Sequence, residues 1–146
     1  MPAPKPNQPV TRFRGTAIGI LCALGAAVLA AVPGTILQAQ LSYAGNVPLP
    51  WGALLALALA GSLMVWTGTW TKKIWVTALA GISTYVLVAL FSTNSNNQLI
   101  VGSSYFDVIP GPALAGTIWV YGIVVATVVA LLIVSRTLAG AKAQRS

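Results

Sequence analysis

Four long apolar runs, separated by short polar or proline-rich stretches, organise this chain; they cover about residues 16–37, 51–70, 74–91 and 112–134. A helix rises 1.5 Å per residue, so about 20 apolar residues cross a hydrocarbon core of about 30 Å, and each run is close to that length. The first run, 16–37, extends toward Tyr43 and carries Pro33 near its far end, followed by Gly34, Gln38 and Gln40. Proline removes the hydrogen bond to the Leu29 carbonyl, which predicts a kink at Pro33 and Gly34. The second run opens on Pro48-Leu49-Pro50-Trp51-Gly52, where proline suits the first helical turn. It closes on Trp66 and Trp70, beside Lys72, Lys73 and Trp75, as an interfacial aromatic belt does. The short connection 71–73 makes the second and third spans a hairpin. After Phe91 the sequence turns to Ser, Thr, Asn and Gln, whose side chains compete for backbone hydrogen bonds and end the helix.

Outside the runs, Pro2, Pro4, Pro6 and Pro9 predict an extended tail over residues 1–14, and residues 137–146 read as a basic tail. The connection 92–112 has a polar half, an apolar patch at Leu99–Val101, then Tyr105-Phe106-Asp107 and Pro110-Gly111-Pro112. It reads as a surface loop lying back on headgroups, with a lid or docking segment as the alternative.

The bases supply an orientation. Lys5, Arg12 and Arg14 precede the first run, Lys72 and Lys73 join the second to the third, and Arg136, Lys142 and Arg145 follow the fourth. The connections near Gly45 and over 92–112 hold no base, only Asp107. This is the positive-inside pattern with both termini cytoplasmic, and its completeness argues against dual topology. The expected fold is all-α: a polytopic membrane protein with an antiparallel four-transmembrane-helix bundle over residues 15–136. The first run is too long for a cleaved signal, whose apolar region spans about 7–15 residues.

Composition agrees. The chain is 57% hydrophobic and 6% charged, with a mean hydropathy of +0.84, against roughly 25% charged in soluble domains. Its net charge of +7 is scattered over tails and turns and forms no basic helix face, so nucleic acid is not an expected partner. The expected partner is a bilayer with anionic headgroups, which Arg12, Arg14, Lys72, Lys73, Arg136, Lys142 and Arg145 meet at about 1 kcal/mol each. Cys22 is the one cysteine, so no intrachain disulfide forms, and it reads as a small hydrophobe in the first span.

Chemistry is limited by what the runs lack. They contain no acidic or basic residue, and the chain has no His, no Glu and one Asp. A proton-coupled exporter of the small multidrug type needs a carboxylate in its first span. Paired-carboxylate catalysis, His-based metal sites and haem ligation are excluded on the same count, and no cofactor is implied. What remains is a neutral set, Gln38, Tyr43, Tyr85, Trp119 and Tyr121, placed by rise per residue in the outer half of the spans. It reads either as interfacial anchors or as the frame of a shallow outward pocket. Small residues form seams for close helix packing: Gly15 and Gly19, then Ala23, Ala26 and Ala30; Gly52, Ala56 and Ala60; Gly122, Ala126 and Ala130.

The span layout, the Pro48-Leu49-Pro50-Trp51-Gly52 turn, the Ala/Val-rich spans and the basic ends resemble a group of small four-span membrane proteins of actinobacteria, over most of residues 15–136. The resemblance carries no catalytic or binding residue across. Genes of that group can stand beside mycothiol-biosynthesis genes, so it implies a cell-envelope or thiol-linked context. The expected function is a non-enzymatic accessory or scaffold subunit of a membrane complex. The alternative is a homo-oligomeric channel or transporter for a small neutral or lipidic solute. A lipid-acting enzyme using tyrosine alone is the remote third.

Overall fold

The computed structural model of the chain describes residues 9–38, 40, 42–44, 47–93 and 110–144, with side chains over 15–38, 40, 50–92 and 111–144. Expectations placed on Lys5, Asp107, Arg145 and most of the 92–112 connection lie outside these residues, as do the side chains of Arg12, Arg14 and Tyr43. The apolar runs become α1 (Pro9–Gln38), α2 (Trp51–Thr71), α3 (Ile74–Thr93) and α4 (Pro110–Ala143). All four helices are long and apolar enough to cross a membrane.

Two ends differ from expectation. The helix starts at Pro9 instead of following a tail that reaches residue 14. Proline at the first helical position loses no bond, because that N–H has no intrahelical acceptor, and its φ is already helical. At the other end, α4 runs through the stretch expected as tail, to Ala143. Leu138, Ala139, Ala141 and Ala143 are good helix formers, and the Thr137 hydroxyl donates to the Val134 carbonyl at 2.8 Å.

A short ribbon joins α1 to α2 where no strand was expected. Strands β1 (Ser42–Ala44) and β2 (Val47–Leu49) pair antiparallel, Tyr43 opposite Pro48. The ribbon returns the chain so that Gly52 N–H donates to the Gln40 carbonyl at 3.2 Å. A side chain at position 52 would collide with the Leu37 carbonyl oxygen, so the start of α2 lies directly on the end of α1.

The neighbour order also departs from a simple up-and-down bundle. Helix α1 packs chiefly on α2 and α3, and α4 packs chiefly on the same two; α2 and α3 touch less, and α1 meets α4 least. The ring order is therefore α1-α2-α4-α3. Consecutive helices reverse direction, but two neighbouring pairs run parallel. Gly15 and Gly19 of α1 meet Lys73 and then Trp75 and Val76 of α3. Leu57 and Gly68 of α2 meet Gly122 and Val134 of α4. The reason lies in the small residues of α1. Ala23, Ala26, Ala27, Ala30 and Ala31 are all buried and occupy more than one stripe, so α1 nests on two helices at once.

This arrangement gathers the described bases at one end. Lys73 Nζ donates to the Gly15 carbonyl at 2.8 Å, bringing the start of α1 to the α2–α3 turn. The Gly68–Val134 contact brings the later part of α4 to the same place. Lys72, Lys73 and Arg136 share that end, and residues 12 and 14 lie in α1 just before Gly15.

Candidate functional site

At the opposite end, an aromatic ring of α4 packs against α1. Trp119 is fully buried, and its ring edge lies across Gly34, so near that an added Cβ would stand 2.5 Å from it. Helix α1 continues through Pro33 without a break. Gln38, one turn beyond Gly34, is buried as well. Tyr85 and Tyr121, by contrast, are 42% and 70% exposed. The outward pocket expected from Gln38, Tyr43, Tyr85, Trp119 and Tyr121 is not assembled by the described residues. Helical geometry explains why: positions 119 and 121 are about 200° apart around α4, so an inward Trp119 turns Tyr121 outward. Likewise Thr84 and Val88 take the buried face of α3 and leave Tyr85 outside.

Among the described residues the buried polar groups are few, and two of the threonines turn on their own helices. Thr67 donates to the Leu63 carbonyl at 2.6 Å, and Thr84 to the Ala80 carbonyl at 2.7 Å. Thr127 donates to the Ile123 carbonyl at 2.7 Å and lies 3.6 Å from Met64 Sδ. Among the described residues, three buried polar atoms have no partner: Thr35 Oγ1, Thr77 Oγ1 and Trp119 Nε1. The Thr77 hydroxyl fills the space a side chain would take at Gly68. Among the described residues no group of His, Cys, Asp or Glu is arranged to hold a metal ion.

The small residues divide between two environments. Gly19, Ala23, Ala26 and Ala30 are buried on α1, and Gly52, Ala56 and Ala60 on α2; Gly15 is half-buried. On α4, Ala130 is buried but Gly122 and Ala126 are half-exposed along a surface groove. That groove runs between α2 and α4 and encloses about 910 Å³. Leu57, Ala58, Gly61, Ser62, Val65, Trp66 and Thr69 form one wall; Gly122, Val125, Ala126, Val129, Ala130 and Ile133 form the other. Its two hydroxyl-bearing residues do not polarise it. Ser62 donates to the Ala58 carbonyl at 2.7 Å, and Thr69 to the Val65 carbonyl at 2.9 Å. Trp66 stacks on Trp70, ring centroids 5.4 Å apart, on the side of the bases. A smaller recess on the other side of the same tryptophans is lined by Cys22, Gly25, Ala26 and Leu29 of α1.

No family model, curated protein or solved structure matches this chain.

Proposed function

We propose that this chain is a multi-pass cell-membrane protein with both termini cytoplasmic, acting by association as an accessory or scaffold subunit of a membrane complex. One observation carries this reading. The bundle interior is filled by Ala, Val, Met64, Ile123 and Trp119, and its described polar residues are threonines and one glutamine. Such an interior supports neither an ion path nor proton transfer, which call for charged or hydrated groups within the spans. The outer faces carry Leu, Ile, Val and Trp, suited to lipid and to the apolar helices of other membrane proteins. A homo-oligomeric channel, the second reading, needs a polar path between copies, and these faces offer little to line one.

The test is capture of a tagged, natively expressed copy in mild detergent. A larger membrane protein recovered in fixed ratio is the expected result. A stable particle of this chain alone, combined with solute flux in reconstituted vesicles, would replace the accessory role with the channel.

A further inference from the structure

We propose that the groove between α2 and α4 seats an acyl chain of an anionic phospholipid, with Lys72 and Arg136 holding its phosphate. The proposal rests on the membrane reading above and adds a specific lipid site to it. Three observations select this occupant.

The first is length. The groove extends along α2 from Leu57 to Thr69, about 18 Å at 1.5 Å per residue, which is close to the depth of one leaflet, about half of the 30 Å core. The second is chemistry. With Ser62 and Thr69 bonded to their own helix, the walls present methyl, methylene and aromatic surface along their length. An aliphatic chain satisfies that surface, and a polar solute does not.

The third is charge, and it distinguishes a lipid from a second copy of the chain. Arg136 continues the α4 wall one turn past Ile133, and Lys72 follows Thr69 past the end of α2. Both are exposed, and both lie within about one turn of the Gly68–Val134 contact. Each follows by three positions the last lining residue of its wall, Thr69 or Ile133, which puts them past the end of the groove where a headgroup phosphate sits when its chain lies inside. Lys73 is committed elsewhere, to the Gly15 carbonyl and the face of Trp75. The described residues include no carboxylate side chain that would neutralise this end. A second copy docked in the groove with the same orientation would bring the bases of both chains together, and like charges repel. A phosphate complements them.

The experiment uses the full-length protein in micelles, with retained lipid read by native mass spectrometry after exposure to phosphatidylglycerol or phosphatidylcholine. The wild type is expected to retain phosphatidylglycerol preferentially. The double variant K72Q/R136Q is expected to lose roughly 30-fold of that preference, the worth of two interfacial bases. Gly61→Leu is expected to abolish retention of both lipids. No atom lies within 4 Å of a Cβ at position 61, so this variant blocks the groove without disturbing the core, and an unchanged unfolding temperature checks that. Equal retention of the two lipids by the wild type, or full retention by Gly61→Leu, would overturn the site. Chemical crosslinking to a dimer that Gly61→Leu abolishes would overturn it too and assign the groove to a second copy. Failure of the membrane reading is separable: the protein would then leave membranes in an alkaline carbonate wash.

Discussion

Gly34 and Gly25 stand nine residues apart on α1 and face different surroundings. A methyl group at Gly34 meets the Trp119 ring, whereas one at Gly25 meets nothing within 4 Å. Gly34→Ala should therefore destabilise the bundle by about 1–3 kcal/mol, the usual cost of overpacking. Gly25→Ala should be neutral or stabilising by up to about 1 kcal/mol, since alanine is the better helix former. Thermal unfolding of both variants in one detergent checks the contrast. Trp119 itself is expected to show a graded response. Trp119→Ala opens a cavity and costs about 3–5 kcal/mol. Trp119→Phe costs clearly less, because it keeps most of the ring and removes an unpartnered buried N–H worth about 1–3 kcal/mol. The sequence predicted a kink at Pro33-Gly34 and left the role of Gly34 hidden. Its partner is 85 positions away, and no local pattern links a glycine to the tryptophan that covers it.

Among the elements, spans two and three were legible to within about two residues, because their boundaries are chemical events: Pro50-Trp51 opens α2, Lys72-Lys73 separates α2 from α3, and polar residues follow Phe91. The start of α1 and the end of α4 were not, since helix continues there on propensity after hydrophobicity has ended. The ribbon did leave a signal: Gly45-Asn46 between Tyr43-Ala44 and Val47 is a two-residue hairpin sequence. The α2–α3 turn makes its own prediction. Lys72 has φ 52°, and the N–H groups of Lys72 and Lys73 bond the carbonyls of Thr69 and Gly68, each at 3.3 Å. This is a Schellman ending with lysine at the position glycine prefers. Lys72→Gly should stabilise the fold by about 1 kcal/mol, and Lys72→Val should destabilise it by a similar amount or more. Unfolding temperatures of the two variants are expected to bracket the wild type. Both remove the charge equally, so the difference between them reports backbone geometry.

At the scale of the whole molecule, charge alternation along the chain becomes a single basic end in space, because the Lys73–Gly15 bond and the Gly68–Val134 contact bring three separate segments together. Reporter fusions at residue 46 and within 94–106 are expected to read extracytoplasmic, and fusions after residues 72 and 142 cytoplasmic. An inverted or mixed pattern would refute that orientation. The ring order was not legible: hydrophobic runs state how many helices there are, but which pairs become neighbours depends on how small and large residues interlock across the seams.

That ring order has a consequence for biogenesis. Helix α4, made after the other three, lies between α2 and α3, where Gly81 receives Thr127 and Gly68 receives Val134. At about 5–20 residues per second, synthesis of residues 94–143 takes several seconds after α3 is complete. An intermediate whose first three helices pack as they do in the finished bundle presents a trough shaped for α4 throughout that interval. Such a trough fits the chain's own α4 and, equally, the α4 of a copy translated alongside, so exchange of α4 between copies is the misassembly this order predicts.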